Sequence, residues 1–168
     1  SPFTDAELVK PHLDKPLFVN LFTSTEGRGE LNVHLNRKCK GRISNGLLLH
    51  GSFVENRWDM NNDNFYDSPR RQQLNGLYRV FYESPGMCAQ FNVQALTDRR
   101  KGGQINSIDG IPGLFSIDQH NDRVELWGKM GYEGIGGKPY KQIGNIISAS
   151  WHRANAVFGP NQYDATQK

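Results

Sequence analysis

The chain has no unbroken apolar run of the roughly 18 residues that a membrane-crossing helix needs. That excludes a transmembrane helix but not a transmembrane barrel, whose alternating strands leave a much weaker hydropathy signal. Cysteine is scarce: Cys39 and Cys88 fit no metal-binding spacing and form no disulfide framework, and whether they pair with each other stays open. Neither sign of charge dominates. Twenty Lys and Arg against 17 Asp and Glu leave +3, with no basic stripe, so nucleic acid is not an expected partner. Apolar residues reach only 36%, low for a soluble core. Aromatics at 11% nevertheless argue against disorder. A sheet whose strands each turn one face to water reconciles the two. The chain opens on Ser1-Pro2-Phe3 with no basic and apolar leader, which suggests a mature product or a piece cut from something longer.

Residues 1–15 hold two prolines, scattered charge and no period, and read as a linker. From Pro16 onward the period is two. Strands are expected at about 17–24, 30–39, 43–56, 71–83, 88–99, 122–134 and 140–157. Leu31, Val33 and Leu35 alternate with Asn32, His34 and Asn36. Leu74, Tyr78, Val80 and Tyr82 alternate with Arg71, Gln73, Asn75, Arg79 and Glu83. Phe91, Val93 and Ala95 oppose Gln90, Asn92 and Gln94, and Val124, Leu126, Met130 and Tyr132 oppose Arg123, Glu125 and Lys129. Tight turns fall at Lys40-Gly41-Arg42, Ser84-Pro85-Gly86-Met87 and Gly136-Gly137-Lys138-Pro139. Long polar loops fall at 57–70, 100–121 and after Val157. Short and long connections therefore alternate, which sorts them onto opposite rims of an up-and-down sheet, as in outer-membrane barrels. The expected fold is all-β: an antiparallel up-and-down meander of about seven long strands, part of a larger transmembrane β-barrel. Strands of ten or more residues and aromatics near the turns (Tyr82, Tyr132, Tyr140) favour the membrane. A small soluble β-barrel holding an apolar ligand inside would show the same alternation. The two differ in whether Leu47, Leu49, Tyr78, Val80, Phe91, Val93 and Leu126 face out or in.

In several stretches the chain resembles TonB-dependent outer-membrane receptors of the kind abundant in Bacteroidetes-type bacteria. They are Leu31-Asn32-Val33-His34-Leu35-Asn36-Arg37-Lys38, Gly46-Leu47-Leu48-Leu49-His50-Gly51-Ser52, the run from Arg71 to Tyr82, Gln90-Phe91-Asn92-Val93-Gln94-Ala95 and the run from Arg99 to Gln104. The resemblance rests on their order and spacing across residues 16–167. It implies a plug domain ahead of a barrel of about 22 strands, with residues 1–15 as the plug-to-barrel passage and 16–168 as the N-terminal part of the barrel. It further implies a bacterial outer-membrane location and uptake of a nutrient such as a siderophore, metal complex or cobalamin. Outer-membrane lipid and the TonB complex, reached through the plug, would be the partners. Arg79, Glu83, Asn92, Gln94, Arg123, Glu125 and Lys129 would line the lumen against the plug.

The densest chemical signal is Asp59-Met60-Asn61-Asn62-Asp63-Asn64-Phe65-Tyr66-Asp67. Asp59, Asn61, Asp63 and Asp67 place oxygens at positions 1, 3, 5 and 9 of a calcium-loop pattern, and Phe65 would offer its carbonyl at position 7. Asn64 replaces the usual glycine and Arg70 the bidentate glutamate. The same residues serve equally as Asx-turns in an exposed loop. Calcium is the only cofactor the residues suggest. Substrate contacts are expected on the loops Asp59–Arg70 and Arg100–Asn121. His12, His34, His50, His120 and His152 have no ligand spacing. No nucleophile elbow or phosphate loop occurs, and Gly134–Gly137 lacks a following helix. The chain is not expected to be an enzyme. A secreted β-rich hydrolase would need converging carboxylates, and Asp59, Asp63 and Asp67 suit a cation better.

Overall fold

In the computed structural model, residues 8–39, 41–105 and 113–168 are described. Lys40 of the expected turn, residues 1–7 of the expected linker and residues 106–112 of the expected second loop lie outside them. Eight strands follow in order: β1 (Leu17–Thr23), β2 (Arg28–Lys38), β3 (Ile43–Val54), β4 (Arg70–Ser84), β5 (Met87–Gly103), β6 (Ser116–Glu133), β7 (Gln142–Phe158) and β8 (Asn161–Gln167). They form one antiparallel sheet in sequence order. Each strand pairs with its neighbours in the chain and the sheet is open, with β1 and β8 at its edges. Among the described residues a 3-10 turn, Ile135–Gly137, interrupts the link from β6 to β7.

Two sequence expectations need correction. There are eight strands, not about seven: a tight turn at Gly159-Pro160 and the strand β8 stand where a long loop after Val157 was expected. The second long loop is also shorter than 100–121, because β5 runs on to Gly103 and β6 starts at Ser116. Connections at 39–42, 85–86 and 134–141 share one rim; those at 24–27, 55–69, 104–115 and 159–160 share the other. Long connections thus occur at one rim, but only two of the four there are long.

Glycine shapes two of the turns. Gly86, at φ 73°, closes the Pro85-Gly86 link in a conformation that costs other residues energy. Gly27, at φ 73°, does so between β1 and β2, where its N–H bonds the Ser24 carbonyl at 3.2 Å.

The pairing registers extend the alternation into two continuous faces. Leu17, Leu35, Leu47, Tyr78, Val93, Leu126 and Ala149 lie in one cross-strand row. Asn36, Gly46, Arg79, Asn92, Trp127 and Ser148 lie in a row on the opposite face. Burial runs against the soluble rule. Within the strands of the described residues, Phe81 is the one large apolar side chain that is buried, whereas Ser44, Arg79, Asn92 and Asp98 are buried polar ones. All five belong to the polar face. A single-layer sheet can cover a face only by coiling around it or by laying chain across it, so the polar face is the inner one. Leu49, Phe53, Leu74, Tyr78, Phe91 and Leu126 are exposed on the outer face.

Candidate functional site

The outer face is banded along the strands. From Leu74 to Tyr82 on β4, Met87 to Ala95 on β5, Val124 to Tyr132 on β6 and Ile143 to Trp151 on β7, every outward position is apolar, aromatic or glycine except Asn145. Each stretch is nine residues, about 26 Å along a strand. Beyond it the same face turns polar on neighbouring strands together: Thr97, Arg99 and Lys101 on β5, Asp122, His120 and Asp118 on β6, Arg153 and Asn155 on β7. Tyr82 and Tyr132 mark the lower margin and Trp151 the upper one. The upper margin drops one paired row from Phe53 on β3 to Leu74 on β4 and another to Ala95 on β5. From β5 through β6 to β7 it then stays in one paired row, Ala95, Val124 and Trp151. Within the band Asn45 donates to the Tyr78 hydroxyl at 3.2 Å.

The inner face carries a hydrogen-bonded polar network. Asn92 is wholly buried, accepting from Gln90 at 2.8 Å and donating to the Trp127 carbonyl at 3.4 Å. Gln94 donates to Asn75, and His50 Nδ1 lies 2.7 Å from Asn32 Oδ1. Asp98 bonds the Nε of Arg71 and of Arg100 at 3.0 and 2.9 Å. Arg123 pairs with Glu125 along β6. The segment Leu8–Pro16 crosses this face near the short-turn rim without joining the sheet. Arg79 donates to the Val9 and Leu8 carbonyls at 2.9 and 3.3 Å. Lys10 pairs with Glu83 at 3.3 Å, and the His12 ring stands 5.6 Å from that of Phe81. The lumen-facing residues expected from the sequence therefore do share one face, and two of them hold the N-terminal segment.

In the first long loop the Asp and Asn side chains turn toward their own backbone. Asp59 accepts from the N–H of Asp63 and Asn64 at 3.1 and 2.9 Å. Asn61 accepts from Asp63 N–H, Asp63 from Phe65 N–H at 2.8 Å, and Asp67 from Met60 N–H at 2.8 Å. The bonds between Asn61 and Asp63 and between Asp63 and Phe65 are Asx-turns, and within them Asn62 and Asn64 adopt a left-handed backbone at φ 57° and 66°. Among the described residues no group of three or more His, Cys, Asp and Glu is arranged to hold a metal ion. Cys39 and Cys88 are both free thiols.

The loop's base is fixed by Glu55, which binds Arg70 and also accepts from Gln72 at 3.1 Å. Partial burial raises the Glu55 carboxyl pKa, but the bonds from Arg70 and Gln72 and the charges of Arg70 and Arg57 outweigh it, so the net shift is downward. Its far side is stitched to the β5–β6 hairpin. Tyr66 N–H bonds Gly103 O at 3.0 Å, Ile105 N–H bonds Asn64 O at 2.8 Å, and Phe65 bridges Gln104. Sequence reasoning missed this contact because it joins segments some 40 residues apart with no shared period.

No family model, no curated protein and no solved structure matches the chain.

Proposed function

We propose that the chain is the N-terminal part of the barrel of a TonB-dependent outer-membrane receptor, which takes up a nutrient such as a siderophore, metal complex or cobalamin. The observation that carries the membrane part is the outer band. It is nine residues deep on four consecutive strands, within the 9–11 that a tilted strand needs to cross a bilayer, and aromatics mark its margins. Lipid is the partner that makes an apolar exterior around a polar interior favourable, because it removes the exposed leucines and aromatics from water. A soluble sheet of this size would bury its apolar face under a second layer. The receptor part is supported by the family-like stretches between Leu31 and Gln104, and by the mixed charges of the inner face, which suit docking of a plug better than selection of one ion. On this reading the rim carrying loops 55–69 and 104–115 is extracellular, and Leu8–Pro16 enters at the periplasmic rim.

Far-UV circular dichroism of the purified chain with and without detergent tests it. β-structure that forms in detergent or lipid vesicles, with aggregation in buffer, is the expected result. A soluble, cooperatively unfolding monomer in plain buffer would overturn the proposal in favour of a small ligand-binding β-barrel.

A further inference from the structure

Where the first long loop meets the ends of β5, β6 and β7, the inner face holds a cavity of about 440 Å³, within the range of small-molecule pockets. Its walls are aromatic: Phe65 and Tyr66 from the loop, Phe115 before β6 and Phe158 at the end of β7. Phe65 and Phe115 remain 40% and 41% exposed, so part of each ring stays open to a ligand. Among the described residues two cations, Arg100 and Lys101, lie in the lining and no carboxylate does. Lys101 is matched by Asp118 at 3.2 Å. Arg100 shares the buried Asp98 with Arg71, so two guanidinium charges face one carboxylate and a positive charge is left beside the cavity.

The walls are held in place before any ligand arrives. The Tyr66–Gly103 and Ile105–Asn64 backbone bonds fasten the loop, and Gln104 fixes Phe115 through its N–H at 2.7 Å. Two glycines make room for Phe115. A Cβ on Gly103, whose φ is +114°, would come within 2.4 Å of the Phe115 carbonyl oxygen, and one on Gly159 within 2.9 Å of the ring. Preorganisation of this kind lowers the ordering cost of binding.

We propose that this cavity binds a planar aromatic acid, with the aromatic walls receiving the ring and Arg100 meeting the carboxylate. The inference deepens the receptor reading and rests on it for the source of the ligand, since that reading turns this rim to the cell exterior; the cavity itself does not depend on a membrane. Stacking against several rings favours a flat apolar body, and a guanidinium favours a carboxylate through charge-assisted hydrogen bonds.

Calorimetric titration of the full chain with 2-naphthoate, and with 2-naphthylmethanol as its uncharged counterpart, tests the proposal. The wild-type chain is expected to bind one naphthoate saturably and more tightly than the alcohol. Phe158→Ala is expected to weaken both by about tenfold or more. Arg100→Gln is expected to abolish the preference for the acid while leaving the alcohol's affinity in place. Phe65→Ala, at an exposed loop position, serves should Phe158→Ala fail to fold. Leu126→Ala on the outer face is expected to change nothing. The proposal is overturned if naphthoate does not saturate, if Phe65→Ala and Arg100→Gln leave its binding unchanged, or if Leu126→Ala weakens it. Should the chain fold without detergent, the receptor reading fails on its own evidence, and the same titration in buffer still decides the cavity.

Discussion

Replacing Leu126 by Arg separates a lipid-facing sheet from a water-facing one by magnitude alone. Leu126 stands inside the outer band, paired with Val93 on β5 and Ala149 on β7, and is 40% exposed. In water a long cation at an open surface position changes stability by no more than about 0.5 kcal/mol. At the bilayer midplane of a barrel the same change costs about 2–4 kcal/mol, falling to about 0–1 near the interfaces. Leu126 lies one outward position from the middle of the β6 stretch, so a cost of about 2–3 kcal/mol is expected in lipid. Thr97→Arg is the internal control. Thr97 faces the same side one position above Ala95, opposite Asp122, and its cost is expected to stay below about 1 kcal/mol. Urea titration of vesicle-refolded protein, followed by tryptophan fluorescence, measures both, with Leu126→Ala as the reference for the lost side chain. A Leu126→Arg cost under about 0.5 kcal/mol, or equal costs at 126 and 97, would refute the argument that the band marks the depth of a bilayer.

Three further outcomes follow from the inner face and the loop rim. Asp98→Ala leaves Arg71 and Arg100 facing each other without their carboxylate and is expected to cost about 1–3 kcal/mol in the same denaturation assay. Gly103→Ala forces a side chain at φ +114° against the Phe115 carbonyl; a loss of about 1–3 kcal/mol, with faster proteolysis between 104 and 115, is expected. Glu55 has its carboxyl pKa lowered by Arg70, Gln72 and Arg57 against the opposing effect of burial. Its stabilising contribution is therefore complete above the ordinary carboxylate value of 4.5 and disappears as pH falls through the lower folded value. Glu55→Gln should flatten the acid limb of a stability-against-pH curve, and an unchanged limb would remove Glu55 from the account.

The sequence by itself determined the all-β class, the antiparallel meander and the membership of the two faces, because a period of two assigns each residue a side whatever the sheet does next. It determined the central part of most strands and the tight link at Gly86 for the same local reason, whereas the tight turn expected at Gly136–Pro139 is an eight-residue link, 134–141, holding a 3-10 turn. It did not mark the ends of β5 and β6. Above the outer band both faces of those strands are polar, as Arg99, Arg100 and Lys101 opposite Asp118, Gln119 and His120 illustrate, and alternation disappears although pairing continues. Strand β8, from Asn161 to Gln167, was hidden in the same way. The Asp and Asn run from Asp59 to Asp67 was conspicuous in the sequence, but spacing could not say which backbone N–H groups its oxygens meet. Only the tertiary structure shows which backbone N–H groups of the loop they bond, that Arg79 holds the carbonyls of Leu8 and Val9, and that Phe65, Tyr66, Phe115 and Phe158 meet around one cavity. Each of these depends on contacts between segments far apart in the chain, which local periodicity does not encode.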